Sequence, residues 1–374
     1  MKKYFSLLFL LIIIFSCSNR KSNDYSTEGK EITIDLKSVQ NVSLKIENIR
    51  YIPLETTDEC LIGRADKVLI KNNRIYVSDF NKAMALFVFD MNGKLLFKIN
   101  RRGQGPGEYI SFNDFDIQVN QDIFMLDHFG KKILVFDSEG KYLHSVNFEF
   151  FFRNFCLIEN KIYLSHITPN SGKKVADLAV YDMENKKTKF LLEDEKFLYP
   201  IGFTSSRYKF YYSPNNTYYS PKLSETIFAV FRDSFAPAIV IKNLPVFPKN
   251  LLEGAITVNN PVLRSDFFER YNYFLENFHI YETDNYISMH YLIGLNSNEL
   301  LYNKRTKMAY QPNSSYFIAT GSSNIEGSTG IEFFSVVNFS SENKFQKQIL
   351  TTREDLKNWK EEDNPVIVIF DFDM

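Results

Sequence analysis

Only three of the 374 residues are cysteine and one is tryptophan, while glycine (15) and proline (12) are both sparse. Three cysteines far apart in sequence cannot staple a small secreted scaffold. So little glycine and proline excludes collagen-like and low-complexity chains. An excess of one charge is missing too: 44 Lys+Arg face 45 Asp+Glu, a net charge of −1. That balance leaves no electrostatic footprint for DNA or RNA and excludes a dedicated nucleic-acid binder. The apolar run Phe5–Phe15, broken only by Ser6, falls short of the ~20 residues that span a bilayer. Catalytic signatures are equally scarce. None of the five histidines (128, 144, 166, 279 and 290) begins His-Glu-x-x-His, and no Gly-x-Ser-x-Gly elbow occurs. Ser171-Gly-Lys-Lys174 has the spacing of a Ser-x-x-Lys pair, but it follows Pro169-Asn170 and reads as a turn.

What the chain has in quantity is aromatic residues: 36 Phe and 22 Tyr bring the aromatic share to 16%. Aromatics favour a pleated, half-buried surface, so the composition leans to β-sheet. At the N-terminus Lys2 and Lys3 precede the apolar run, which ends in Ile14-Phe15-Ser16-Cys17. This segment resembles a bacterial lipoprotein signal, which implies cleavage after residue 16 and a lipid on Cys17. Ser18 follows, with no Asp to mark inner-membrane retention, so the resemblance implies an outer-membrane lipoprotein facing the periplasm or the cell surface. Residues 17–30 are polar and aperiodic and read as a tether, leaving 31–374 as the folded domain. Cys60 and Cys156 lie in apolar contexts and read as buried free thiols.

Within the domain a unit repeats. Arg74–Asp79 leads to Leu86–Asp90, then Asn92-Gly93-Lys94 and Leu95–Ile99. Asp122–Asp127 leads to Ile133–Asp137, then Glu139-Gly140-Lys141 and Tyr142–Val146. Lys161–Ser165 leads to Leu178–Asp182 and Asn185-Lys186-Lys187, and weaker copies follow at Lys209–Ser213 with Ile227–Phe231 and at Asn285–Met289 with Glu299–Tyr302. The aspartate closing the second run recurs at 90, 137 and 182. Asp-x-x-Gly is hairpin chemistry, because Asp accepts backbone N–H groups and Gly takes a positive φ. A period in the mid-forties built from about four strands is the mark of a propeller blade.

The predicted fold is therefore all-β, a six-bladed β-propeller closed by N- and C-terminal strands, with short helical insertions. For the closing blade the expected strands are Ile32–Leu36, Ile49–Leu54, Tyr316–Thr320, Ile331–Val336 and Pro365–Phe370, since pairing the two chain ends removes exposed edges. Helices are expected at Ser265–Asn277, on the spacing of Phe267, Tyr271 and Phe274, and at Thr352–Glu362, on Leu356 and Trp359.

The unit Arg74–Ile99 followed by Arg101-Arg-Gly-Gln-Gly-Pro-Gly-Glu-Tyr109 resembles the NHL-type repeat. The lipobox, Tyr51-Ile-Pro-Leu-Glu-Thr-Thr57, the Gly103–Tyr109 turn and the terminal strand together resemble the six-bladed propeller lipoproteins of Bacteroidetes. The resemblance spans nearly the whole chain. It implies an architecture and an address, but no agreed activity.

Three constellations bear on chemistry. Gly103, Gly105 and Gly107 invite a phosphate-loop reading, but Pro106 interrupts and a strand follows, so they read as an inter-blade turn. Arg101 and Arg102 beside it are the candidate anion site. The carboxylates of Asp79, Asp116 and Asp127 are those available to a channel calcium, as in propeller lactonases, although Asp79 and Asp127 recur in phase and suit a structural role at strand ends. Tyr211, Tyr212, Tyr218 and Tyr219 form the densest aromatic stretch and are the surface candidates for stacking on sugars or gripping peptides. The reading that results is a lipid-anchored envelope module that binds a glycan, a peptide or a partner protein. It touches the membrane through its lipid alone, has no nucleic-acid partner, and carries no cofactor. The alternative is a metal-dependent lactonase or lyase with calcium in the channel.

Overall fold

The computed structural model describes residues 31–169, 176–193, 208–213, 216–221, 223–246, 272–274, 278–294, 296–313, 320–322, 324–340 and 342–373. Cys17, the signal segment, the tether, Ser171–Lys174, Tyr316–Ala319 and most of the predicted helix at 265–277 lie outside these residues. Of that helix, Phe274 is described in bridges to Val246 and Ile293.

Six antiparallel sheets follow one another around an axis. Blade 1 comprises Lys67–Lys71, Arg74–Asp79, Ala85–Asp90 and Leu95–Ile99, and blade 2 comprises Asp114–Ile117, Ile123–Asp127, Lys132–Phe136 and Tyr142–Asn147. Blade 3 comprises Asn154–Ile158, Lys161–Pro169, Ala176–Asp182 and Lys187–Glu193, with Phe150–Phe151 added to its second strand. Blade 4 comprises Phe210–Tyr212, Thr217–Tyr219, Thr226–Val230 and Phe235–Lys242, and blade 5 comprises His279–Glu282, Tyr286–Ile293, Asn296–Asn303 and Met308–Pro312. Blade 6 comprises Gly327–Ser328, Phe333–Val337, Val366–Asp373 and Lys45–Pro53.

The repeated turn has the geometry its sequence requires. Asp90 Oδ1 accepts from the N–H groups of Asn92 and Lys94 at 2.8 and 2.9 Å, and Gly93 sits at φ 80°. Asp137 Oδ1 accepts from Glu139 and Lys141 at 3.0 and 2.9 Å, with Gly140 at φ 79°. In blade 3 Asp182 holds Glu184 and Asn185, and the left-handed residue moves one place on to Lys186.

Alternation along each strand then feeds both neighbouring interfaces. Ile75 and Val77 pack with Phe334, Ile367 and Ile369 of blade 6, while Tyr76 packs with Phe115, Met125 and Leu134 of blade 2. Burying both faces of a sheet is what uses so many aromatics. Cys60 and Cys156 are buried and free, as expected.

The ring closes as the sequence predicts, but with different partners. Lys45–Pro53 pairs antiparallel with Val366–Asp373. Ile32–Asp35, expected in the same blade, instead lies parallel on Phe235–Lys242 of blade 4, and Gln40–Val42 lies parallel on Met308–Pro312 of blade 5. The N-terminal run therefore passes along three successive blades, covering the outer edges of two before completing the third, and each edge it covers is one fewer left open. Among the described residues the innermost strand of blade 6 is Gly327–Ser328.

The second predicted helix is also displaced. Asn343 caps a helix at Lys344–Thr352 by accepting from Phe345 and Gln346, and Thr352–Glu362 holds only the 3-10 turn Glu354–Leu356. Leu356 is buried and Trp359 donates its indole N–H to Asn364 O at 3.0 Å, so that apolar pair anchors a loop and not a helix.

The two chain ends are also joined by a side chain. Buried Asn364, just before the last strand, accepts from Ile62 N–H at 2.8 Å and donates to the carbonyls of Glu55 (2.7 Å) and Cys60 (2.5 Å).

Candidate functional site

The innermost strands are short and stand around the axis, so their axis-facing side chains set the chemistry of the channel. On one side that chemistry is closed. Lys67 Nζ donates to Asp114 Oδ1 and to Phe115 O, both at 2.7 Å, and lies 5.2 and 5.3 Å from the rings of Phe115 and Tyr208. Lys71 Nζ donates to Asp116 Oδ1 at 2.7 Å and to Ile117 O at 3.2 Å, and stands 3.8 Å from the Tyr212 ring centre. The second oxygens of Asp114 and Asp116 accept from Phe155 and Leu157 N–H at 3.1 and 2.9 Å. Two carboxylates thus bind the inner strands of blades 1, 2 and 3 together. Burial raises the cost of the Asp116 anion, but Lys71 more than offsets it, holding that carboxyl below the usual range.

The other side opens on a cavity of about 280 Å³ between blades 1, 4, 5 and 6, lined by Lys67, Lys71, Tyr208, Tyr211, Tyr212, His279, Tyr281, His290 and Glu326 among others. Three features define its chemistry. Tyr211 and Tyr281 meet edge to face at 5.9 Å, and His279 lies 5.6 Å from Tyr211. Burial, helped by neighbouring His290, drives the His279 imidazole down to about 4, so it is neutral near pH 7. Burial also raises the Glu326 carboxyl to about 7, with the Val336 N–H opposing only part of the shift.

The predicted site residues fall differently from their sequence grouping. Tyr211 is 4% exposed and lines the cavity, its hydroxyl donating to Tyr208 O at 3.1 Å, while Tyr212 is 40% exposed beside Lys71. Tyr218 and Tyr219 are not surface residues. Tyr218 donates to Glu282 at 3.1 Å and Tyr219 to Asp177, and both rings fill packing between blades. Strand position explains the split: Tyr211 and Tyr212 lie on the inner strand and reach the cavity, whereas Tyr218 and Tyr219 lie on the second strand, where alternation sends Tyr218 to the face it shares with Tyr211 and Tyr219 to the opposite one.

Arg101 and Arg102 are exposed at the turn between blades 1 and 2. Arg102 lines an open hollow with Gly103, Gln104, Tyr109 and Ile110. The glycine loop already holds an anion of its own: Gly105 N–H donates to Glu108 Oε2 at 2.8 Å, and Gly107, at φ 75°, packs against the Tyr142 ring.

The carboxylates weighed for calcium have other partners. Asp79 accepts from the N–H groups of Gly63, Arg64, Asn81 and Lys82, and Asp127 from Ile110, Ser111 and Gly130, so each clamps the incoming inter-blade loop to a strand end. Burial pushes the Asp79 carboxyl up, but these donors more than offset it, leaving it low. Among the described residues no three His, Cys, Asp or Glu side chains group as a metal set. Replacing fully buried Asp127 by Ala should therefore cost about 3 kcal/mol by stranding buried N–H donors, seen as a lower urea midpoint at unchanged m-value.

The channel lysines and Glu326 were missed in the sequence, although a signal existed. Lys67 pairs with Asp114 and Lys71 with Asp116 at separations of 47 and 45 residues. Those are the spacings of the repeat itself.

Six closed blades around an axial cavity define a six-bladed β-propeller. The chain belongs to the family described as Domain of unknown function (DUF4934), which it matches over residues 31–371. Among solved structures it is similar to a protein of Bacteroides fragilis NCTC 9343 described as exported, with 17% identity, a TM-score of 0.75, and coverage of 92% of this chain and 100% of that one. It is also similar to a member of the duf4221 family from Bacteroides vulgatus ATCC 8482, with 11% identity, a TM-score of 0.57, and coverage of 89% and 99%. At these identities the likeness is one of fold. No curated protein matches the sequence.

Proposed function

We propose that this protein is a binding module of the cell envelope, held to the outer membrane by a lipid on Cys17, that receives a glycan, a peptide or a segment of a partner protein in the mouth of its channel. The axial cavity carries the reading. It combines aromatic faces with a few polar groups of fixed orientation, the mix that small-ligand sites use. The lipoprotein-like N-terminus and the exported relative of the same fold support the address.

Tyr212 gives the cleanest test, because its ring is half open and its loss leaves the Lys71–Asp116 pair in place. In equilibrium binding of the full chain to arrayed glycans and short peptides, Tyr212→Ala should weaken any ligand at least tenfold while the melting temperature moves by only a few degrees. A ligand whose affinity is untouched by Tyr212→Ala binds elsewhere and refutes the channel assignment.

A further inference from the structure

Resting on the channel reading, the cavity's own chemistry narrows the ligand. Its two lysines show how this channel satisfies an ammonium group: a carboxylate oxygen, a backbone carbonyl, and the face of an aromatic ring. Lys67 has Asp114, Phe115 O and the rings of Phe115 and Tyr208; Lys71 has Asp116, Ile117 O and Tyr212. Across the cavity two of these three kinds of group, the carboxylate and the aromatic face, occur with no lysine paired to that carboxylate among the described residues. Glu326 supplies the carboxylate, and Tyr211 and Tyr281 supply the rings. Among the described residues no Lys or Arg forms an ion pair with Glu326; the neighbouring donor is the Val336 N–H. A carboxylate set into an aromatic wall is costly to ionise unless a cation reaches it.

We propose that the Glu326 corner of the cavity, walled by Tyr211 and Tyr281, binds a primary ammonium group presented by an amino sugar or by a peptide N-terminus.

The surrounding charges favour this. The lysines that face the same space are each paired at 2.7 Å with a carboxylate, Lys67 with Asp114, which burial pushes up against the pull of Lys67, and Lys71 with Asp116, and Asp66 is paired with Arg64. His279 is neutral near pH 7, and the Tyr281 hydroxyl is pushed well up by burial, so neither adds charge. At about 280 Å³ the space is just under the ~300 Å³ at which drug-sized pockets begin, matching one sugar ring or the first residues of a peptide. The aromatic faces add cation–π attraction, which strengthens where water is displaced.

Proton linkage follows from the same geometry. A bound ammonium favours ionised Glu326, which is half protonated near pH 7 in the free protein. Affinity should then fall about tenfold per pH unit well below pH 7, peak between about pH 7 and 8, and fall again as the amine itself loses its proton above about pH 8.

The experiment is isothermal titration of the full chain with glucosamine and N-acetylglucosamine, and with dialanine amide and its N-acetyl derivative, between pH 5.5 and 8.5. Wild type is compared with Glu326→Gln and Tyr212→Ala. The expected result is binding of at least one free amine over its acetylated partner by tenfold or more. That preference should be lost in Glu326→Gln and follow the pH profile above. Which amine binds separates sugar from peptide. Equal binding of free and acetylated probes, an unchanged Glu326→Gln isotherm, or no amine binding at millimolar concentration overturns the proposal. A neutral probe that loses affinity in Tyr212→Ala but not in Glu326→Gln would leave the channel reading standing and the ammonium assignment refuted. Folding is checked separately. Burial has raised the Glu326 carboxyl in the fold, so its ionisation opposes folding as pH rises from the unfolded value toward about 7. Glu326→Gln should therefore melt no lower than wild type at pH 8.5.

Discussion

Deleting Val366–Asp373 is expected to abolish cooperative folding. This strand lies between Phe333–Val337 and Lys45–Pro53, so its loss opens two sheet edges at once. Val366, Ile367, Val368, Ile369 and Phe370 are all 0% exposed. At roughly 1.5–3 kcal/mol for each buried apolar side chain, about 10 kcal/mol of burial disappears. That equals the whole net stability of an ordinary domain, about 5–15 kcal/mol. The truncated chain should show no sigmoidal urea transition and should bind a hydrophobic dye at zero denaturant. A softer version places Asp at 368, where it would face the apolar cluster around Tyr51, Phe333 and Phe339. A truncated chain that melts cooperatively would mean the ring is closed by something other than its two ends.

The second large effect concerns the anchor. Cys17→Ser removes the thiol that the lipoprotein-like signal offers for acylation, and the protein should move from the membrane pellet to the soluble fraction. Metabolic labelling with a tritiated fatty acid should vanish with it. Among the described residues no helix is long and apolar enough to cross a membrane, so the lipid is the attachment this reading supplies. The change would be nearly all-or-none in fractionation, because a lipid anchor contributes about 0.8 kcal/mol per buried methylene. A Cys17→Ser protein that stays in the pellet after salt and carbonate washes would refute lipid anchoring.

Much of the ring was legible in the sequence because its signals are local. Asp90, Asp137 and Asp182 each nucleate a tight turn from within four residues, and a turn of that kind recurs visibly in a single sequence. The later blades were hard to delimit for an equally physical reason. An inner strand of two residues, Gly327–Ser328, carries no periodicity at all. Blade 4 takes part of its edge from Ile32–Asp35, some two hundred residues away, which no local pattern encodes.

The site was least legible. His279 and His290 share no phase in the repeat, yet they face each other across adjacent strands, because antiparallel register and not sequence spacing brings them together. The tyrosine stretch misled in the same way. Its density suggested one surface, while register set Tyr211 and Tyr218 side by side on one face of blade 4, pleating turned Tyr219 to the other, and only the inner-strand residues Tyr211 and Tyr212 reach the cavity.

The path of the N-terminal run imposes an order of assembly. Ile32–Asp35 needs blade 4 to exist, Gln40–Val42 needs blade 5, and Lys45–Pro53 needs the last strand of the chain. A polypeptide crossing a membrane N-terminus first must therefore hold its earliest exported strands waiting until its final residues emerge. Contacts of such long reach are slow to form, and unpaired strand edges in the meantime invite association with other chains. On the envelope address proposed above, export should accordingly depend on holding chaperones to a degree that a ring closed by local hairpins would not.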